Sequence, residues 1–248
     1  MQGNIKASNN SQSISIKMKT LSLLLAATTI VSGATFAAQT LYKDYPADVM
    51  PELSESGEFP VGVTTMEVTY PEAAMTMEGK METRGLTLEV WYPAQKATEN
   101  TLYSDETRSG QVFEIQADAS RDVAIAESES KFPIVVVSHG YTGYRTLMYY
   151  LGEHLASHGY VVAAIDHTDS TNKDVNFAEN PYSGFPSTLL NRSRDQVFTL
   201  NAVTDSEFFN ASVDATKAGV IGYSMGGFGA VSTVGGCYAF NDEAAATF

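Results

Sequence analysis

The sequence predicts an α/β domain, in which strands and helices alternate along the chain. Three runs of near-continuous apolar residues, at 132–138, 160–166 and 217–223, are typical of parallel strands that are covered on both faces. Between them, residues 146–158 and 189–203 repeat apolar residues at helical spacing. This order of strand, helix, strand, helix and strand predicts a mostly parallel sheet with helices packed on it.

Two earlier segments predict an antiparallel leading edge for this sheet. Residues 62–70 and 86–92 alternate apolar and polar side chains, as half-buried antiparallel strands do. The acidic stretch 94–131 is expected to be a solvated surface excursion. Residues 176–187 contain two prolines and a glycine and are expected to form a long loop, of the kind that often borders a substrate site.

One apolar stripe is expected to orient the second predicted helix. Val197 and Leu200 lie on the same side of a helix over 189–203, so we expect this side to face the sheet.

Composition excludes several classes of protein. The 248 residues are 44% hydrophobic and 18% charged, which predicts a folded domain and not a disordered chain. A formal charge of −14 disfavours nucleic acid as a partner. The single cysteine, Cys237, excludes an internal disulfide and cysteine-rich zinc modules, and we expect neither a metal nor a cofactor.

The amino terminus predicts an exported protein. An 11-residue apolar run at 21–31 follows two lysines and leads to small residues ending at Ala37, which is the pattern of a secretory signal and too short for a bilayer span. We expect a signal peptide over 1–37, with Met18 as a candidate start of translation, and a mature domain over 38–248. No cysteine lies near the end of the run, so a lipoprotein anchor is not expected, and the mature protein is predicted to be secreted or periplasmic.

A candidate nucleophile lies in the pattern G-x-S-x-G, formed by Gly222, Ser224 and Gly226 with the residues between them. A buried strand leads into the pattern and a helix of small residues leads out, which is the context of a nucleophile elbow. Glycines are needed there because side chains would collide with the neighbouring strand and helix. An idle serine in a glycine-rich turn is the alternative.

A second glycine-containing turn, beginning at His139, follows the strand at 132–138. In this architecture such a turn supplies one backbone N–H to an oxyanion hole, and the residue after the nucleophile supplies the other. The donors predicted here are the amides of Tyr141 and Met225.

These segments together resemble a family. The runs at 60–62, 88–93, 132–140 and 155–164 and the elbow at Ser224 are similar to bacterial platelet-activating-factor acetylhydrolase-like and dienelactone-hydrolase-related α/β-hydrolases, and the two turns are also similar to cutinase-like polyester hydrolases. The resemblance implies an α/β-hydrolase fold and a serine esterase, lipase or polyesterase. Its substrate would be a small-molecule ester or a polyester.

The sequence departs from this family in its catalytic base. The family's triad continues after the serine with an acid and then a histidine, but the residues after Ser224 include Asp242 and Glu243 and no histidine. We therefore expect a domain that lacks its last strands and helices, and a chain that is poorly soluble and nearly inactive alone. A non-catalytic pseudoenzyme or binding module and a serine peptidase of the same fold remain open.

The four histidines offer weak substitutes for the missing base. His139 is expected to brace the oxyanion turn, and the resemblance implies that His167 lines the site and does not act as the base. His154 and His158 share a helix face, but a zinc motif and a third ligand are missing, so a solvated or loop-packed pair is expected.

Overall fold

The described part of this computed structural model covers residues 54–236 and is built on one seven-stranded sheet. The predicted signal peptide, the candidate start at Met18 and the residues from Cys237 onward lie outside it. In chain order the elements are β1 (Val61–Met75), β2 (Met81–Pro93), β3 (Asn100–Glu106), β4 (Val112–Arg121), β5 (Phe132–Ser138), a 3-10 turn (Arg145–Met148), α1 (Tyr149–Ser157), β6 (Val161–Asp166), α2 (Phe185–Asp205), β7 (Val213–Gly222) and α3 (Met225–Thr233).

The spatial order of the strands is β3-β4-β1-β2-β6-β5-β7. Strand β5 pairs in parallel with β6 and β7, whereas β2 pairs antiparallel with both β1 and β6. The predicted parallel centre and antiparallel leading edge are therefore confirmed. Because β5 and β7 run in parallel as neighbours, the turns that follow them lie side by side at the same edge of the sheet.

Each face of the sheet carries its own apolar core. On one face, residues of β2, β5 and β6 pack with Phe198 and Val203 of α2. On the other, Trp91 and Val162 pack with Ala156 of α1 and with the hairpin β3–β4. Gly152 lets α1 approach closely, since a Cβ there would lie 2.5 Å from the ring of Trp91. The sheet is thus held on both sides.

The prediction of a surface excursion over 94–131 was wrong for its middle. Residues 100–121 form the antiparallel hairpin β3–β4, which extends the sheet beyond β1. Its buried side chains alternate along each strand and include Tyr103, Phe113 and Ile115. Of the four acidic residues in the hairpin, only Asp105 is buried. The acidic composition therefore concealed an ordinary half-buried period of two.

The predicted apolar stripe of α2 is only partly buried. Val197 is 45% exposed, whereas Leu200 packs against the core, and six polar positions are buried as well. These positions are Thr188, Asn191, Arg192, Asp195, Gln196 and Thr199. Within the described residues all of them except the hydroxyls of Thr188 and Thr199 make hydrogen bonds. Buried polar groups usually have such partners, so this side of the helix points to a hydrogen-bonded centre beneath the carboxyl ends of β5 and β7.

Candidate active site

Ser224 lies on a sharp turn between β7 and α3, in a backbone conformation that serine rarely adopts. Its φ of 52° and ψ of −118° place it outside the regions that L-residues favour. The side chain is exposed, and among residues 54–236 its hydroxyl has no hydrogen-bond partner. An exposed serine with a strained backbone, whose hydroxyl makes no hydrogen bond within the described fold, is typical of a functional position.

The predicted elbow glycines are needed by close backbone contacts. A Cβ on Gly222 would lie 2.2 Å from the carbonyl oxygen of Gly226, and a Cβ on Gly226 would lie 2.0 Å from that of Ser138. No real Cβ makes such contacts. The turn can therefore form only because neither residue carries a side chain.

The turn after β5 is in direct contact with this elbow. A Cβ on Gly140 would lie 3.0 Å from the Cβ of Ser224, and Tyr223 N–H donates to the carbonyl of Ser138 at 3.0 Å. A hydrogen bond of 3.1 Å from Gly143 N to Gly140 O closes the turn, and Thr142 holds a φ of 59° within it. The two turns that the sequence singled out are thus neighbours.

Two backbone donors beside Ser224 are free. Within the described residues, the N–H groups of Tyr141 and Met225 donate to no acceptor, although the amides around them do. Thr142 N–H donates to Ser170 O at 2.8 Å, and Gly226 N–H donates to Tyr223 O at 2.9 Å. Met225 is the first residue of α3, whose amide has no partner inside the helix. Free N–H groups of this kind can receive an anionic oxygen.

His139 and His167 lie beneath the turn, where both rings are buried. His139 Nδ1 is 2.5 Å from the carbonyl oxygen of Gly140, and its Nε2 accepts the backbone N–H of His167 at 3.3 Å. Burial lowers the pKa of both histidines well below the ordinary value, and nearby Arg192 lowers it further. Both rings are therefore neutral near pH 7.

His167 also completes a buried array of serine, histidine and aspartate. Its Nε2 lies 2.8 Å from Ser138 Oγ and its Nδ1 lies 2.8 Å from Asp195 Oδ2. The arrangement resembles a catalytic triad, but Ser138 has no exposed surface and Asp195 has about 1%. No substrate can reach this serine in the folded structure.

Helix α2 anchors the centre of the site through its polar side. Arg84 donates to both carboxylate oxygens of Asp195, at 3.0 and 2.8 Å, and to Asp169 at 2.8 Å. Arg192 donates to the carbonyl of His139 at 3.2 Å, and Gln196 donates to the carbonyl of Gly226 at 3.0 Å. One helix thereby holds the backbone of both turns. These anchoring residues were missed by the sequence analysis, although polar residues repeating every three to four positions from 188 to 199 were a usable signal.

The long loop before α2 contacts the same turn. Gly184 N–H donates to the hydroxyl oxygen of Tyr141 at 3.2 Å, and the rings of Tyr141 and Phe185 meet edge to face at 5.6 Å. Tyr182, 6.4 Å from Phe185, is 71% exposed, and Tyr223 is 61% exposed. Aromatic side chains therefore surround the approach to Ser224.

The other two histidines lie away from these turns. His154 lies on α1 and His158 directly follows the helix; their rings are tilted against each other with centroids 4.6 Å apart, and His158 Nε2 lies 3.2 Å from the carbonyl oxygen of Glu55. Residues 54–236 contain no cluster of three or more side chains that could hold a metal ion. In that same range, no helix is both long and apolar enough to cross a membrane.

Comparisons with known proteins agree with this geometry. A ferulic acid esterase from Streptomyces cinnamoneus superposes with a TM-score of 0.54 at 24% identity, over 71% of this chain and 55% of that one. A family model described as PET hydrolase-like (PETase) matches residues 124–236, which include both turns. The chain has the α/β-hydrolase fold. The predicted resemblance to esterases and cutinase-like enzymes of this fold is confirmed.

Two relatives extend the comparison. Cutinase est1 of Thermobifida alba is 30% identical over 152 residues, covering 55% of this chain and 45% of the cutinase. The bis(hydroxyethyl) terephthalate hydrolase of Streptomyces coelicolor is 33% identical over 102 residues, 41% of this chain and 28% of that protein. The chain thus spans less than half the length of these two relatives.

A short match links the chain to the platelet-activating factor acetylhydrolases, which its sequence was also predicted to resemble. Dog platelet-activating factor acetylhydrolase is 49% identical over 41 residues, which is 16% of this chain and 9% of the dog protein.

Proposed function

We propose that this α/β-hydrolase is a serine carboxylic-ester hydrolase with Ser224 as its nucleophile. The observation that carries the proposal is the juxtaposition of an exposed, strained serine hydroxyl with two unoccupied backbone donors, the amides of Tyr141 and Met225. Relatives named as a cutinase and as a terephthalate ester hydrolase support ester hydrolysis over other chemistry of the fold.

In the proposed reaction, Ser224 Oγ attacks the ester carbonyl carbon and the carbonyl oxygen becomes an oxyanion. The amides of Tyr141 and Met225 donate to that oxyanion, and the dipole of α3 adds to its stabilisation. Collapse of the intermediate breaks the bond to the alcohol, which leaves with a proton and forms the acyl-enzyme. Water then attacks the acyl-enzyme, releasing the acid and restoring the Ser224 hydroxyl.

The base that takes the Ser224 proton is not assigned. His139 and His167 use both ring nitrogens in other contacts, and His154 and His158 lie on and just after α1. His167 in particular is disfavoured as the base, because its Nε2 is committed to Ser138. An oxyanion hole without its base retains only part of the catalysis, so we expect this chain to react slowly.

The aromatic surroundings favour esters with an apolar or aromatic acyl group. Tyr141, Tyr182 and Tyr223 can contact such a group while its carbonyl is held at the two amides. Esters from acetyl to medium chain length and aliphatic or aromatic polyesters are the proposed substrates. We propose no nucleic-acid partner and no stable membrane anchor.

Labelling with a fluorophosphonate probe tests the nucleophile. We expect the probe to modify Ser224, as mapped by mass spectrometry, and Ser224→Ala to abolish both labelling and the hydrolysis of p-nitrophenyl butyrate. Ser104→Ala, which changes an exposed serine on β3, is the matched control and should leave both unchanged.

The other functional classes give different outcomes. No labelling of Ser224 at high probe concentration would favour a non-catalytic binding module. Faster cleavage of p-nitroanilide amides than of the matched esters would favour a peptidase. Fast ester hydrolysis that depends on Ser224 would contradict the expected weakness and show that a base is present.

We also propose that the protein is exported, with residues 1–37 as the signal peptide. The support is the charge and hydropathy pattern of that segment. Mass spectrometry of the secreted protein should find a mature amino terminus near residue 38, and an uncleaved terminus would contradict the proposal.

A further inference from the structure

A buried chain of hydrogen bonds links α2 to the turn after β5. Asp195 contacts His167, the backbone N–H of His167 donates to His139, and His139 contacts the carbonyl of Gly140. The two rings meet edge to face at 5.1 Å. Ser138 joins the chain through its hydroxyl, which lies 2.8 Å from His167.

The partners define a single tautomer for each ring. A carbonyl oxygen only accepts, so His139 Nδ1 carries the hydrogen that meets Gly140 O, which leaves Nε2 to accept from His167 N–H. The carboxylate of Asp195 accepts from Arg84 on both oxygens, so the hydrogen between it and His167 is on Nδ1 of the ring. Nε2 of His167 then accepts the hydroxyl hydrogen of Ser138. All four ring nitrogens are used.

This arrangement determines where one amide points. The peptide bond between Gly140 and Tyr141 is planar and trans, so its C=O and N–H point in opposite directions. His139 draws the Gly140 oxygen toward the buried centre, together with a second donor, Gly143 N–H at 3.1 Å. The N–H of Tyr141 must therefore point away from that centre, and within the described residues it has no acceptor.

We propose that His139 and His167 are positioning residues that aim the Tyr141 amide at the oxyanion, with Asp195 and Ser138 holding His167 in place. The inference rests on the proposed ester hydrolysis for its catalytic consequence. The array of Ser138, His167 and Asp195 is thus a support for the oxyanion turn and not a second active site. Its complete burial prevents any contact with substrate.

Substitutions at His139 test the proposal because asparagine can replace the Nδ1–H donor of the histidine ring but not its Nε2 acceptor. The amide nitrogen of Asn can take the place of Nδ1–H and keep the bond to Gly140 O, whereas Ala cannot. Loss of one oxyanion donor costs about 100- to 1,000-fold in kcat in serine hydrolases. We expect His139→Ala to slow the Ser224-dependent reaction by a factor of this order with little change in KM, and His139→Asn to restore the rate to within about tenfold of wild type.

Nuclear magnetic resonance gives a readout that does not need activity. Long-range ¹⁵N spectra of the wild-type chain should show both rings protonated on Nδ1. The Tyr141 amide should give one sharp resonance in wild type and in His139→Asn, and a broadened or doubled one in His139→Ala. His158→Gln, on the surface just after α1, is the control and should change neither the spectrum of Tyr141 nor the rate.

Ser138→Ala provides a milder variant in case His139→Ala does not fold. It removes only the hydroxyl donor to His167, and we expect a loss of roughly three- to tenfold in rate, a fraction of the loss of one donor, and a shifted His167 Nε2 resonance. Rings protonated on Nε2, or a Tyr141 amide unaffected by both variants, would overturn the inference. A wild-type chain that shows no Ser224-dependent reaction would count against the proposed function alone, because the resonances still test the positioning.

Discussion

Two serines at neighbouring strand ends differ in nearly every property that matters for catalysis. Ser138, at the end of β5, is completely buried and has a histidine and an aspartate in line with its hydroxyl. Ser224, just after β7, is exposed and strained, and its hydroxyl has no partner within residues 54–236. Triad geometry alone therefore does not identify a nucleophile. Access, backbone strain and nearby free donors are what support Ser224 as the proposed nucleophile.

The contact that joins the two serines gives the largest expected effect. A Cβ at Gly226 would lie 2.0 Å from the carbonyl oxygen of Ser138, and neither backbone can move away without breaking β5 or α3. Gly226→Ala should therefore cost more than the roughly 3 kcal/mol typical of an overpacked core, and we expect no folded protein by circular dichroism.

Gly219→Ala is the matched control for that substitution. Its nearest neighbour would be a methyl group of Val135 at 3.9 Å, an ordinary contact, so the variant should fold as wild type does. A stable Gly226→Ala variant with an unchanged spectrum would mean that the two turns are not packed as described.

Removing the carboxylate of Asp195, which contacts the histidine bound to Ser138, should have the next largest effect. Asp195→Ala leaves the buried Arg84 guanidinium without its two-oxygen partner and His167 without an acceptor. Breaking a buried ion pair from one side costs about 3–5 kcal/mol, so the free energy of unfolding in urea should fall by about that amount. Lys217→Ala breaks an exposed pair with Asp214 and should lower the free energy of unfolding by much less, because exposed ion pairs contribute little. Equal effects of the two substitutions would contradict the buried network.

The histidines beneath the turn should make stability depend on pH. Their pKa is lowered in the folded state, so below about pH 6.5, the ordinary value, the unfolded chain binds protons that the folded chain does not. Stability is then complete above that value and falls with decreasing pH, by at most about 1.4 kcal/mol per pH unit for each histidine. His139→Asn should reduce this slope between pH 6.5 and 5, whereas His158→Gln serves as the reference.

Buried carboxylates titrate in the opposite sense, since burial raises the pKa of Asp195 and Asp169. Comparing slopes between variants cancels their contribution, because both variants retain them. A slope that is the same in His139→Asn and in wild type would show that His139 gains a proton in the folded state near neutral pH.

Replacing each of the two serines by glycine should change the free energy of unfolding in opposite directions. Ser224→Gly removes the strain of a φ of 52°, and we expect the free energy of unfolding to rise by about 1 kcal/mol. Ser138→Gly removes the donor to His167 and should lower it by roughly 1–3 kcal/mol. Thermal or urea unfolding measures both. Destabilisation by Ser224→Gly would argue that the elbow stores no strain.

Much of the fold was predictable because its signals are local. The apolar runs of β5, β6 and β7 and the glycines of the elbow can be recognised without knowing their neighbours. The hairpin over 100–121 was missed because its apolar residues alternate with polar and charged ones inside a longer acidic stretch. The buried side of α2 was only partly predicted, because an apolar stripe is the usual buried side of a helix and here polar residues are buried beside it.

The α/β class, the elbow at Ser224 and the glycines that the elbow requires could be predicted from the sequence alone, since they follow from residue type and spacing. The free amides of Tyr141 and Met225 beside Ser224, and the contacts of His167 with Ser138 and Asp195, are visible only in the tertiary structure. Those contacts join residues from β5, from the turn after β6 and from α2, which are up to 57 positions apart between Ser138 and Asp195. Hydrogen bonds between such distant residues depend on how the strands are ordered in the sheet, which no local pattern specifies.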